Sequence, residues 1–376
     1  MKLHAMKSAV PAKKSGGDYA LLIAVFLLAA IGTVFIYSAS NYSAEATYGD
    51  AFYFVKKQII GILIGVAVMI FAAFYDYEKL KKFTIFLSVV SFIALALVFV
   101  PGIGVENYGA KRWLGLGGIT VQPSEIAKFS LILFSATYFS AYKERASTFL
   151  GVLPVLLFGG ATCLFVILEP NMSITVCIAL LMMTVIFAAG LKIKAMLMII
   201  LPAFAAGVVL ILIEPYRLSR LAAFLNPWSN PKGEGYQLLQ SLYALGSGGW
   251  FGVGLFKSRQ KYAFLPFAES DFILSVIGEE TGFIGLLCFF ALLAFIVFRG
   301  LRAARRAKDV FGFILATGIA MIFGIQVVIN ALVVSGSIPP TGLPLPLVSS
   351  GNTSIIIFMA EAGVVFNVSR KGTGTF

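Results

Sequence analysis

The chain has 376 residues, 59% of them hydrophobic and only 12% charged, with a formal net charge of +12. Together with a mean hydropathy of +0.94, this departs from the roughly 45–50% apolar and about 25% charged composition of soluble domains and indicates an all-α polytopic membrane protein. The positive charge forms no arginine-rich tract with interleaved aromatics, which excludes nucleic acid as a partner. The single histidine, His4, lies in a polar tail, so a Ser-His-Asp triad, a Cys-His dyad and a histidine-rich zinc site are excluded, and acid–base chemistry falls to Asp, Glu, Lys or Tyr.

Residues 1–18 form a basic tail, and the apolar run after it ends in no small-residue cleavage site, so it reads as an uncleaved first helix. Ten apolar stretches are predicted to span a bilayer: 19–40, 55–75, 82–100, 123–142, 150–168, 173–190, 195–213, 271–298, 311–334 and 353–368. The cysteines Cys163, Cys177 and Cys288 all fall inside these stretches, which argues against disulfides. An even number of spans puts both ends on one side. Lys and Arg gather in the tail, at Lys79–Lys82, Lys143–Arg145, Lys192–Lys194 and Arg299–Lys308, and at Arg370 and Lys371. By the positive-inside rule the tails 1–18 and 369–376 are then cytoplasmic, and 19–368 is the transmembrane domain.

The complicated loops all fall on the outer side. The first, "PGIGVENYGAKRWLGLGGITVQPSE", is Gly-rich and carries Lys111, Arg112 and Trp113. The second is a long extracytoplasmic loop, 214–270, before the eighth span. It has turn signals at Asn-Pro, Pro-Lys-Gly and Gly-Ser-Gly-Gly, and its "GYQLLQSLYAL" predicts a short interfacial helix. Its many aromatics argue against disorder. The third, "SGSIPPTGLPLPLVSSGNTS", is rich in Pro, Gly and hydroxyl residues. No internal repeat is visible, which argues against an inverted-repeat transporter.

Several polar groups interrupt the apolar pattern. In "QPSEIAK", Pro123 suits a first helical turn, and Gln122, Glu125 and Lys128 share one helix face. A lysine at that depth needs a partner or a wet cavity, so Glu125 and Lys128 are either an internal ion pair or the lining of a functional site. Asp271 stands where the long loop meets the eighth span, as an N-cap or as a group at the mouth of a polar cavity. Glu279 and Glu280 follow two turns deeper and require polar neighbours, either Lys128 or an arginine of the outer loops. Glu169 falls at an outer helix end before Pro170, and Glu361 lies in the last span without an evident partner. Arg112, Arg217, Arg220, Lys257, Arg259 and Lys261 supply outer positive charge, suited either to loop solvation and headgroups or to a phosphate or pyrophosphate.

Four ordered motifs carry a resemblance: "GAKRWLGLGGITVQPSEIAK", "NPWSNPKGEGYQLLQSLYALGSGGWFGVGL", "SRQKYAFLPFAESDFILSVIGEETG" and "PPTGLPLPLVSSG". The chain after about Asp18 resembles the SEDS family (shape, elongation, division and sporulation proteins), which contains FtsW, RodA and SpoVE; "NPW" and "SRQK" are more similar to the FtsW/SpoVE branch. The resemblance implies a peptidoglycan glycosyltransferase that polymerises lipid II into glycan strands at the outer face of the bacterial cytoplasmic membrane. It implies work beside a class B penicillin-binding protein transpeptidase and other division or sporulation membrane proteins. It assigns catalytic roles to Asp271, Glu125 and Lys128. Arg112, Trp113, Gln122, Ser124, Arg217, Arg259, Gln260, Lys261, Glu279 and Glu280 are the expected substrate or pyrophosphate contacts. A divalent cation, Mg2+ or Mn2+, is an expected cofactor, with Asp271 its candidate ligand, and no organic cofactor is expected.

The chain departs from the family pattern in three places. "EPNMS" stands where the family usually has "QPDxG", "LPFAESDF" where it has "LPExxTDF", and "PLVSSGNTS" where it has "PFxSYGGSS". Phe267 and Asn171 thereby replace acids, and Glu169 offers one back. Two alternatives stay open at this point: a lipid II flippase, and a non-catalytic scaffold or activator of the transpeptidase.

Overall fold

A computed structural model describes residues 16–107, 110–116, 119–213, 215–262, 264–340 and 342–372. Among them are twelve α-helices: α1 (Tyr19–Tyr48), α2 (Tyr53–Phe74), α3 (Thr84–Leu97), α4 (Pro123–Ala141), α5 (Phe149–Leu168), α6 (Met172–Ala189), α7 (Ile193–Ile213), α8 (Pro215–Leu225), α9 (Tyr236–Gly248), α10 (Ile273–Arg305), α11 (Val310–Val334) and α12 (Asn352–Lys371). Eight of the described helical segments are long and apolar enough to cross a membrane. The other two of the ten expected stretches are α4, which is less apolar because it carries Glu125, Lys128 and several hydroxyls, and α7, apolar over Ile193–Val209. The chain is a multi-pass membrane protein.

α11 is the central helix, packed by α10, α4, α6 and α12, and α12 in turn lies along α2. Glycines allow that last approach. A Cβ on Gly363 would stand 2.3 Å from the Met69 carbonyl oxygen, and one on Gly65 would stand 2.6 Å from Met359 Sδ. Without a hydrophobic drive between helices in lipid, close backbone packing of this kind supplies the association.

The two ends of the bundle differ. At one end Asp18, which caps α1, pairs with Arg299 of α10, and its N–H donates to Ser369 Oγ of α12 at 2.9 Å. Lys371 meets Asp76 at 2.5 Å and Lys308 meets Glu78 at 3.5 Å. The start of α1 and the end of α12 therefore share the basic end. The opposite end carries α8, α9, the segment 337–351 and a three-stranded antiparallel sheet ordered β1 (Gly104–Asn107), β2 (Ala110–Leu116) and β3 (Ile119–Val121). The sheet is a small addition to the expected helical membrane fold and is built from the Gly-rich outer loop. α9 bears out the expected short helix, while α8 was not foreseen.

α10 is broken at Gly282, which takes φ 68° and ψ −170°. The break frees two carbonyls and two N–H groups in a region with no water to receive them. The loop after α9 partners all four. Val253 and Gly254 N–H donate to the carbonyls of Glu279 (2.9 Å) and Glu280 (3.1 Å), and Phe283 and Ile284 N–H donate to the carbonyls of Gly249 (2.9 Å) and Trp250 (3.2 Å). A Cβ on Gly282 would stand 2.3 Å from the Gly252 nitrogen. Gly282→Ala therefore combines a left-handed backbone with a clash, and is expected to lower stability by more than the about 1–3 kcal/mol typical of backbone strain alone, read as a fall in the thermal midpoint in detergent. Gly252→Ala, at φ 78° and facing the same break, should act alike.

Candidate functional site

Asp271 sits on the rim at the sheet-bearing end, one residue before the buried Phe272 that precedes α10. Its main chain is pinned rather than its side chain. Asn330 Nδ2 of α11 donates to the Asp271 carbonyl at 2.9 Å and to the Leu343 carbonyl at 2.8 Å. Ser349 Oγ donates to the Ser270 carbonyl at 2.6 Å, and Ser350 N–H donates to the Glu269 carbonyl at 2.9 Å. The carboxyl is partly buried and accepts from Ser270 Oγ at 3.1 Å. Close approach of the loop matters too: a Cβ on Gly342 would stand 3.0 Å from Asp271 Oδ2. Burial pushes the Asp271 carboxyl up to about 6, against the pull of Ser270, Arg112 and Arg220, while Glu269 adds to the rise. Burial also raises Glu269 itself.

Arg112 is carried on β2 and reaches the α5–α6 turn, where Nε donates to the Glu169 carbonyl at 3.3 Å and Nη2 to the Pro170 carbonyl at 2.5 Å. Arg220, on α8, reaches the Pro340 carbonyl at 3.5 Å. Both guanidiniums thus lie along the rim that holds Asp271. The side chain of Arg217 lies outside the described residues. Trp113 is partly buried on β2 opposite Val105.

Glu125 and Lys128 form an internal ion pair, Oε1 to Nζ 2.6 Å, with both residues 1% exposed. Lys128 Nζ also lies 5.7 Å from the centre of the Phe358 ring. Glu361 of α12 is within Coulombic reach of both, which gives it the partner the sequence did not reveal. Of the three expected catalytic residues, Glu125 and Lys128 thus form a buried pair on α4, and Asp271 is a partly buried residue before α10. Gln122 precedes α4 without capping it, its N–H directed at Thr353 Oγ1 at 3.4 Å, and Ser124 Oγ is buried without a partner.

Glu279 and Glu280 have a different employment from the substrate contact expected of them. Glu279 accepts from Ser258 Oγ at 2.5 Å and from Arg259 N–H at 2.8 Å. Glu280 accepts from Ser38 Oγ at 2.5 Å and from Ser258 N–H at 3.2 Å, with Lys261 Nζ at 3.9 Å. Lys261 also points inward, donating to the Phe256 carbonyl at 2.6 Å. These three groups bind the loop to the broken helix. Arg259 stays exposed on that loop, and Gln260 Oε1 is buried without a partner.

A divalent cation at Asp271 would meet its carboxyl and that of Glu269 set among arginines; among the described residues no group of three or more His, Cys, Asp or Glu stands close enough to hold a metal. That donor set does not fit a protein-held ion. An apolar cleft of about 410 Å³ opens between α3, α4 and α5, lined by Ile85, Ser88, Phe92, Phe134 and Phe158, and no candidate residue lines it. Sequence reading missed Asn330; a polar side chain inside an apolar span was the available signal.

Fold and site define a multi-pass membrane protein with an acid flanked by arginines at one end and its basic clusters at the other. The chain belongs to the FtsW/RodA/SpoVE family of cell cycle proteins, whose family model matches residues 19–374. It is 38% identical to stage V sporulation protein E of Bacillus subtilis (strain 168) over 359 residues, covering 95% of this chain and 98% of that protein. It is 39% identical to a probable peptidoglycan glycosyltransferase FtsW of Geobacter sp. (strain M18) over 360 residues, covering 96% and 98%. Among solved structures, a chain of a peptidoglycan synthase complex that coordinates polymerization and crosslinking superposes with TM-score 0.77 at 27% identity, covering 94% of this chain and 98% of that one. The rod shape determining protein RodA of Thermus thermophilus superposes with TM-score 0.69 at 26% identity, covering 94% and 97%.

Removing Lys128 alone leaves carboxylates uncompensated inside the bundle. Lys128→Met should cost about 3–5 kcal/mol of stability, read as the detergent melting temperature. Adding Glu125→Leu should restore only part of it, and adding Glu361→Leu as well should restore most, because both acids face the same ammonium.

Proposed function

We propose that the chain is a peptidoglycan glycosyltransferase that polymerises lipid II at the extracytoplasmic face of the membrane, in division or sporulation. The observation that carries this reading is Asp271: a carboxyl with a raised proton affinity, held by its backbone and flanked by Arg112 and Arg220. The basic clusters at the opposite end support an outward-facing site by the positive-inside rule. The relatives named as glycosyltransferases, matched over nearly their whole length, support the reaction class. The likeness to a chain of a synthase complex supports a class B penicillin-binding protein as partner.

The reaction joins two lipid-linked sugars. The 4-hydroxyl of an acceptor GlcNAc attacks the anomeric carbon of a donor MurNAc. Its O–H proton passes to the Asp271 carboxylate as the new C–O bond forms. The bond from the anomeric carbon to the pyrophosphate breaks, and its electron pair leaves with the lipid pyrophosphate. A single displacement of this kind inverts the anomeric centre. Charge builds on the departing oxygens, where arginine forks give bidentate support, and Arg112 and Arg220 occupy that role. The Glu125–Lys128 pair acts from the interior, fixing α4 and with it the strands that carry Arg112.

The test uses the purified chain with its transpeptidase and lipid II, read as glycan ladders on a gel. Asp271→Asn is expected to lower polymerisation by roughly 10²–10⁴-fold with an unchanged melting temperature; retained polymerisation ends the assignment. A base must be ionised to accept a proton. The wild-type rate should therefore rise with pH through about 6 and be lost below it.

A further inference from the structure

The apolar cleft between α3, α4 and α5 belongs neither to the rim nor to the interior ion pair. It opens toward lipid: on α3, Ile85 is 79% exposed and Val89 is 51% exposed. Its one polar lining residue, Ser88, turns its hydroxyl back on the helix, Oγ donating to the Thr84 carbonyl at 2.7 Å. The surface on offer is therefore carbon. Aromatic rings close one end, Phe134 against Phe158 at 4.6 Å and Phe92 against Phe158 at 5.0 Å between centroids.

The cleft has a direction. α3 and α5 start, and α4 finishes, at the basic end of the bundle. There Thr84 Oγ1 lies 2.8 Å from Thr137 Oγ1, and Tyr138 OH donates to the Gly151 carbonyl at 2.8 Å. From that level the α3 lining runs from Ile85 to Ile93, about 12 Å along a helix axis. Phe134 and Phe158 stand at a matching depth, seven residues before the end of α4 and nine after the start of α5. In a hydrocarbon core about 30 Å thick, the cleft thus occupies the half next to the basic end, with the rings at its deep end.

The mouth at the basic end is cationic. Lys82 precedes α3 by two residues, and Lys143 and Arg145 follow α4; all three are exposed. Arg145 is held over the Tyr142 ring at 4.7 Å. The ion pairs described at this end use Arg299, Lys308 and Lys371 instead. The acid beside these cations in sequence is the exposed Glu144, so three positive groups face one negative.

We propose that this cleft binds an anionic phospholipid of the leaflet at the basic end, the cytoplasmic one by the positive-inside rule. One acyl chain lies in the cleft, and the headgroup phosphate meets Lys82, Lys143 and Arg145. A volume of about 410 Å³ is in the range of ligand-binding clefts. Charge complementarity selects the occupant, since each basic residue at a membrane surface strengthens attraction for an anionic headgroup. A zwitterionic lipid brings an ammonium that these cations repel. A polyprenyl chain entering from the opposite face carries its phosphates at the far end of the bundle. The site is separate from Asp271 and stands whether or not the chain transfers sugars.

The test uses the full chain in mild detergent, exchanged with phosphatidylglycerol or phosphatidylcholine of the same acyl chains. Retained lipid is counted by native mass spectrometry, and melting temperature is read in parallel. Wild type should hold phosphatidylglycerol on the order of tenfold more tightly than phosphatidylcholine. Combining Lys82→Gln, Lys143→Gln and Arg145→Gln should make the two lipids equal. Ile85→Trp and Val89→Trp, each at a lipid-facing position, fill the cleft and should abolish retention of phosphatidylglycerol while melting as wild type does. Arg302→Gln with Arg305→Gln removes charge from the same end of the bundle but on α10, which packs on α1, α11 and α12, and should change nothing. The proposal is overturned if wild type retains both lipids equally, if the α10 variant loses the preference as the cleft variant does, or if both tryptophan variants keep it. It is also overturned if undecaprenyl phosphate displaces phosphatidylglycerol at equal concentration, which makes a polyprenyl chain the occupant. Release of the lipid on adding the transpeptidase would overturn it in favour of a helix of that partner.

Discussion

The break in α10 at Gly282 is the constraint on which the sheet-bearing end of the molecule depends. In lipid a helix cannot simply stop hydrogen bonding, since each orphaned backbone group costs several kcal/mol. Here the loop 249–262 supplies the missing partners, so the loop and the outer half of α10 form one unit. Glu279 and Glu280 complete the joint by accepting from Ser258, Arg259 and Ser38. The outer half of α10, which begins two residues after Asp271, is thereby held from the loop side. Asn330 and the segment 343–350 hold Asp271 itself from the other side. The Asp271 carboxyl is presented from a pinned backbone while it accepts one side-chain hydrogen bond, from Ser270 Oγ, which suits the proton exchange proposed for it.

The interior of the bundle obeys the same accounting with side chains. Lys128 faces Glu125 directly and Glu361 at longer range, so one ammonium serves two carboxylates from two helices. Such a cluster is poor as a source of stability, since desolvation offsets most of the attraction, but it is strict about geometry, because moving any member strands a charge. It ties α4 to α12. Through the short connection from β3 to α4 it also bears on the sheet that carries Arg112.

Much of this was legible in the sequence, and the part that was not has a physical cause. Hydropathy and the helical period located the ten apolar stretches and α9, because each signal lies within a single segment. The break at Gly282 left no mark, since an isolated glycine is compatible with an unbroken helix. Nor could the role of Glu280 be read, because its partner Ser38 is 242 positions away. Asp271, Glu279 and Glu280 near the start of one span pointed to polar neighbours or a polar cavity; the fold places Glu279 and Glu280 in the loop joint and Asp271 on the rim. Asn330 was passed over inside an apolar run, although a lone amide at that depth is itself a request for a partner.

The carboxylates of this chain show why residue type alone does not assign chemistry. Glu125 faces an ammonium, Glu279 and Glu280 face backbone N–H and hydroxyl groups, Asp271 faces arginines across a partly open rim, and Glu169 faces nothing that donates. The first three are fixed as acceptors by what surrounds them, so exchanging a proton would break contacts the fold relies on. Asp271 loses little when it gains or loses a proton, because its position is held through its carbonyl and not its carboxyl. The proposed role of Asp271 as base draws on that separation of anchor and carboxyl. Glu169, buried at the turn that Arg112 holds, has neither carboxyl oxygen hydrogen-bonded, so no contact of the fold depends on its charge.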